Sequence, residues 1–227
     1  MPTETNPQAV DRYADLKAFV AEWHRPLAPG DGYTEAEIAE AEARLGFRLP
    51  EALRELYALL GKREDITSGH NRLVYLQDLN VEDDWLVVWE ENQCVSLFAI
   101  RTTDFALAEP LVWILTDGET SLQDKPFSVV QTALVMVAYE TLLVGINSGV
   151  GNSKSKADID DLKSLAIPTS HPVLTQYGIL ELNELLLDFV GDNEVWIAAR
   201  TRNRTELIQA IENYKNIEWS YTSLDDE

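Results

Sequence analysis

Basic residues are scarce in this chain. Among its 227 residues, 18 Lys and Arg face 39 Asp and Glu, which leaves a formal net charge of −21. So few cations argue against binding nucleic-acid phosphates, which needs Lys and Arg to displace counterions. Cysteine is nearly absent as well. Cys94 stands alone, which excludes an intrachain disulfide framework and suits a reducing compartment. Its place in an apolar strand pattern reads as a small buried hydrophobe rather than a reactive thiol. The three histidines, His24, His70 and His171, lie far apart, and no His-x-x-x-His or Cys-x-x-Cys spacing favours zinc. The alternating acids around a central glycine that a calcium loop needs are missing too. The longest hydrophobic run, Val129–Val144, contains Gln131, Thr132 and Glu140 and is too short for a comfortable membrane span. The opening Met1-Pro2-Thr3-Glu4-Thr5-Asn6-Pro7 has neither the basic start nor the apolar core of a signal peptide. The expected location is the cytoplasm.

Catalytic motifs are equally thin. No Gly-x-Ser-x-Gly elbow occurs, and Cys94 has no histidine nearby in sequence to activate it. Gly149-Val150-Gly151-Asn152-Ser153-Lys154-Ser155 has the composition of a phosphate loop, but Ser153 stands where that loop needs glycine before its lysine. The segment before it reads as a helix rather than a strand. Residues 145–156 are therefore expected to be a flexible connection. No catalytic, cofactor-binding or metal-ligating residue is expected, and an enzyme assembled from distant residues remains only a third reading.

What is present is clear helical and strand periodicity. Val10, Tyr13, Leu16, Val20 and Trp23 form one stripe and predict a helix over residues 7–24. Thr34 and Glu37 have capping-box spacing, with Tyr33 and Ile38 as a hydrophobic staple. The helix they start should end at Gly46 in the left-handed conformation. Pro50 suits the first position of the next helix, which carries Leu53, Leu56, Tyr57 and Leu60 to Gly61. From residue 71 the period shortens, and 73–76, 85–90, 94–100 and 111–115 read as strands. Alternation puts Trp85, Val87 and Trp89 on one face. Asp117-Gly118 reads as a turn, and Lys125-Pro126 introduces a helix over 127–144 that is apolar nearly all round. Further on, a helix near 157–166, a hairpin of 185–190 with 195–199, a helix at 205–214 and a strand at 217–221 are expected.

Acidic residues concentrate between Glu64 and Asp124, where 13 carboxylates face only Arg72 and Arg101. That segment holds more than half of the net charge. Glu82-Asp83-Asp84 and Glu90-Glu91 border the Trp85–Trp89 strand at opposite ends. Carboxylates beside aromatic residues make anchors for Arg and Lys of another protein. Glu82, Asp83, Asp84, Trp85, Trp89, Glu90 and Glu91 are thus the candidate partner-binding residues. The competing reading is a solvated sheet rim with both tryptophans in the core.

The order Thr34-x-x-Glu37, Leu45-Gly46-x-x-Leu49-Pro50, Leu56-Tyr57-x-x-Leu60-Gly61, Glu90-Glu91-Asn92-Gln93 and Pro110-Leu111-Val112-Trp113, with a helix after Pro126, resembles the SUKH superfamily of Smi/Knr-type cell-wall regulators and bacterial immunity proteins. The likeness covers residues 30–145, and Cys94 stands where family members often carry glycine. It implies an α+β fold with a central, mostly antiparallel sheet flanked by helices, here with a C-terminal β-hairpin–helix–strand extension. The division expected is a SUKH-like domain at 1–150 and an extension at 151–227 packed on the same domain. The resemblance also implies a non-enzymatic protein-binding role. The first reading is an immunity-type protein that binds and neutralises a basic toxin domain such as a nuclease. The alternative is a regulatory or scaffold module that recruits a cellular partner in cell-wall or stress signalling.

Overall fold

Two antiparallel sheets share one apolar helix in the computed structural model of the chain. The structure describes residues 11–93, 95–116, 119–121, 127–145, 147–183, 185–199 and 204–222, with backbone alone for 119–121 and 220–222. Eight α-helices lie among them, and none is long and apolar enough to cross a membrane.

The first three helices are shaped by local signals. Helix α1 (Ala14–Trp23) buries Leu16, Phe19, Val20 and Trp23 on one stripe; Val10 and the expected first turn lie outside the described residues. In α2 (Glu35–Leu45) the capping box forms as its spacing requires: Thr34 Oγ1 accepts the Glu37 N–H and the Glu37 carboxylate accepts the Thr34 N–H. Gly46 ends it at φ 79°. Helix α3 (Glu51–Leu60) starts one residue later than expected, because Pro50 takes an extended ψ of 144° and becomes the cap itself. Its Leu53, Leu56, Tyr57 and Leu60 are fully buried, and the Tyr57 hydroxyl donates to the Val74 carbonyl at 2.7 Å. A single turn, α4 (Glu64–Thr67), follows.

The first sheet contains β1 (Arg72–Leu73), β2 (Val81–Glu82), β3 (Trp85–Glu90), β4 (Ser96–Arg101), β5 (Trp113–Thr116) and β6 (Glu119–Ser121). Its order is β1-β3-β4-β5-β6, with β2 also paired to β3. The expected strand at 73–76 shrinks to β1, since the chain turns at residues 76–78. Cys94, Asp117-Gly118 and Lys125-Pro126 lie outside the described residues. The simple alternation of β3 fails at one point. Val87 faces Ala99 and Trp89 faces Phe98, so a bulge at Val88 puts two residues opposite one. Past the bulge Trp89 leaves the face of Trp85 and Val87 and enters the core.

Helix α5 (Val129–Val144) is capped by a second box, Ser128 with Gln131, that the sequence reading missed. Its Thr132, Val135 and Met136 lie against Phe98, Val112 and Ile114 of the first sheet region. It also packs on α1, α3 and α4, and on the second sheet behind it. A helix covered on so many sides must be apolar nearly all round. Its one acid, Glu140, is buried but accepts three backbone N–H bonds, from Gly69, His70 and Asn71.

The second sheet holds β7 (Ser148–Asn152), β8 (Ile167–Pro168), β9 (Leu180–Leu182), β10 (Leu185–Val190), β11 (Glu194–Ala199) and β12 (Glu218–Thr222), in the order β12-β7-β11-β10-β9-β8. Helices α6 (Lys156–Leu165), α7 (Pro172–Tyr177) and α8 (Arg204–Asn213) accompany it. Residues 148–152 are not the flexible connection expected: β7 sits between β11 and β12 inside the sheet. Glycine serves close approach there. A Cβ on Gly151 would come within 2.4 Å of Ile217 Cγ2 and 2.9 Å of the Trp219 ring. Alternation along β10 and β11 serves two cores. Leu186 and Ala198 join the cluster around α5, while Leu185, Leu187, Val195 and Ile197 pack with Ile159 and Leu162 of α6 and Leu207 of α8.

Candidate partner-binding face

The tip of the β2–β3 hairpin is a two-residue turn made of Asp83 and Asp84, both left-handed at φ 47° and 70°. Such a turn fits the twist of the paired strands, and aspartate tolerates the left-handed region better than most side chains. The Asp84 carbonyl accepts the Thr102 N–H at 3.0 Å, which pins the tip to the end of β4. Both carboxylates are exposed, and among the described residues neither meets a cation within ion-pairing distance.

Next to this tip the outer face of the first sheet begins. Register places Trp85 opposite Arg101, Val87 opposite Ala99, Ala99 opposite Trp113 and Leu97 opposite Leu115, all on that one face. Trp85, Leu97, Trp113 and Leu115 are half-buried and pack into neither core. The Arg101 guanidinium lies 4.9 Å from the Trp85 ring centre and 4.2 Å from that of Trp113. The two rings meet edge-to-face at 5.8 Å. Asp83, Asp84, Trp85, Arg101, Thr102 and Thr103 enclose a concavity of about 250 Å³.

The other end of β3 is built differently. Glu90 is ion-paired with Arg72 across the β1–β3 register and raises the Arg72 pKa through that hydrogen bond. The Glu91 carboxylate accepts the N–H groups of Gln93 at 3.0 Å and Val95 at 3.3 Å, closing the β3–β4 turn. A six-residue strand spans about 17 Å. The structure thus brings Glu82, Asp83, Asp84 and Trp85 together and leaves Glu90 and Glu91 at the far end. Trp89, at 1% exposure, lies within the core and not on either rim.

Arg101 and Trp113 were missed. Arg101 had figured only as one of two bases in an acidic segment. Its place beside Trp85 depends on the β3–β4 register, which is set by the turn and the bulge rather than by composition.

Other titratable clusters are structural ties between elements. Asp31 accepts from Arg25 and from the buried Arg63, whose guanidinium also pairs with Asp65. The two arginines hold the Asp31 carboxyl far below its usual range. His24 Nε2 lies 2.7 Å from Thr141 Oγ1, and burial lowers its pKa to about 4. Asp188 is hydrogen-bonded to the Tyr139 hydroxyl at 3.1 Å, and burial pushes its carboxyl up. No group of three or more His, Cys, Asp or Glu side chains suited to a metal ion occurs among the described residues.

Residues 32–122 match one family model, described as the SMI1 / KNR4 family (SUKH-1). The match runs from just before α2 to just past β6 and so contains the acidic tip and the outer sheet face. No curated protein and no solved structure matches the chain.

Proposed function

With a SUKH-1 family domain in place over residues 32–122, we propose that the chain is a non-enzymatic binding module that captures and neutralises a basic toxin domain. One juxtaposition carries the reading: Asp83 and Asp84, without an ion-pair partner among the described residues, on a pinned turn beside half-buried Trp85, in a chain of net charge −21. Carboxylates that lack internal partners remain available to Lys and Arg of another protein, and an aromatic beside them supplies apolar contact. Glu82 adds to this rim. Glu90 and Glu91 would contribute long-range attraction only, because local partners already hold them. Trp89 would act by supporting β3 from within. Long-range charge of this kind accelerates encounter more than it tightens the complex. The division near residue 150 into a family domain and an extension belongs to the same proposal.

A regulatory or scaffold module that recruits a cellular partner through the same face is the second reading, and the breadth of the family description accommodates it. Co-expression with the polypeptide encoded by the neighbouring gene separates the two. Protection of cells from that polypeptide, with association that slows as salt rises, is the expected result. In the Asp83→Lys, Asp84→Lys double variant, association should slow about tenfold at low salt and lose much of its salt dependence. Unchanged association and unchanged salt dependence would remove the tip from the interface. Absence of protection would favour the regulatory reading.

A further inference from the structure

In this acidic chain five of the described arginines are tied to a carboxylate. Arg12, Arg25, Arg54, Arg63 and Arg72 each pair with at least one. Among the described residues Arg101, like Arg44 and Arg48, meets no carboxylate within ion-pairing distance, although Asp83 and Asp84 line the same concavity. Its guanidinium carbon instead lies over the faces of two rings, 4.9 Å from the centre of Trp85 and 4.2 Å from that of Trp113. Among the described residues its guanidinium N–H donors meet no hydrogen-bond acceptor. Trp113 Nε1 beneath it is shielded from solvent and has no hydrogen-bond partner. Exposed donors on a side chain already ordered by two rings can bind with little further loss of entropy.

We propose that the outer face of the first sheet, centred on Arg101 beside Trp85 and Trp113, is the surface on which the basic partner docks, and that Arg101 sets affinity and partner choice through a directed bond to a carboxylate of that partner. The inference rests on the toxin-binding reading above and assigns its parts. Carboxylates at both ends of β3 attract the partner's cations. Arg101 with its two tryptophans, at the Asp83–Asp84 end, selects a surface with one acid placed among those cations. Tryptophan and arginine are the side chains that most often dominate binding energy when central in an interface. Charge decides the occupant. A second copy of this chain would bring another −21 against the same rim, and a polyphosphate would meet one guanidinium surrounded by acids.

The test is one of sign. Against the immobilised polypeptide of the neighbouring gene, Arg101→Glu makes the full chain more acidic. If charge alone drove binding, association would quicken and affinity rise. The docking role predicts instead a loss of about 30-fold or more, mostly as faster dissociation. Arg101→Lys, which keeps the charge but loses the planar guanidinium and its forked donors, should lose about tenfold. Wild-type affinity in both variants, or tighter binding by Arg101→Glu, would overturn the role of Arg101 while leaving toxin binding intact. Failure of the wild-type chain to bind that polypeptide would overturn the reading beneath it as well. Because Arg101 is exposed at a strand end, losing its ring contacts should lower the thermal midpoint of either variant by only a few degrees, so both remain folded at the temperature of the binding assay.

Discussion

Replacing Glu140 by leucine strands three backbone N–H groups at once. Its Oε2 accepts from Gly69 at 2.7 Å and His70 at 2.8 Å, and its Oε1 from Asn71 at 2.5 Å. The Asn71 bond is buried and the other two are partly so. A buried N–H left without an acceptor costs about 1–3 kcal/mol, so one full loss and two partial ones come to about 4 kcal/mol. Part of this is offset, because burial pushes the Glu140 carboxyl up despite its three donors. Removing the charge returns part of this, so the leucine variant should lose at most about 4 kcal/mol, a large share of the roughly 5–15 kcal/mol typical of a domain. Glutamine keeps one oxygen acceptor and gives up the charge, at a net loss of about 1 kcal/mol. Urea unfolding of the full chain would show these losses as lower midpoints at unchanged slope. Amide exchange at residues 69–71 should quicken in the leucine variant. The loosening should reach the β3–β4 turn, because His70 Nδ1 lies 3.1 Å from Asn92 Nδ2. A leucine variant no less stable than the glutamine one would refute the reasoning, since only glutamine retains an acceptor.

Two further outcomes concern the core and the pH response. Gly151→Val should lower stability by about 2–3 kcal/mol through overpacking against Ile217 and Trp219; a urea midpoint equal to wild type would show that β7 does not need its glycine. His24, with its folded pKa lowered to about 4 from 6.5, is kept neutral by burial. Its contribution is therefore complete above pH 6.5 and is lost as pH falls toward 4, by about 3 kcal/mol at most. Unfolding midpoints across that window should flatten in His24→Gln, and an unaltered pH profile would place the titration elsewhere.

Features written within a few neighbouring residues were readable in advance. The Thr34–Glu37 box, the Gly46 stop, the Trp85–Glu90 strand and the hairpin of β10 with β11 depend on local hydrogen bonds or on alternation within a single element. Features set by register or by distant packing were not. Residues 148–152 looked like a linker because glycine and serine usually mark one. Their strand identity comes from Ile217 and Trp219, more than sixty residues away, lying against a backbone without side chains. The Val88 bulge sends Trp89 inward, and only a known β3–β4 pairing reveals it. The candidate site divides likewise. Its carboxylates could be counted from the sequence, whereas Arg101 became part of it only once β4 was laid beside β3.

The position of α5 also bears on how the chain is made. When residue 122 has been added, the inner side of the first sheet still lacks Thr132, Val135 and Met136. When α5 has followed, its own far side still awaits Leu186 and Ala198. Ribosomes add roughly 5–20 residues per second, so the stretch from Val144 to Ala199 takes roughly 3–10 seconds. Through that interval the nascent chain carries apolar surface with nothing yet synthesised to cover it. Newly made chains are thus most exposed to aggregation, and most accessible to chaperones, just before the second sheet closes over α5.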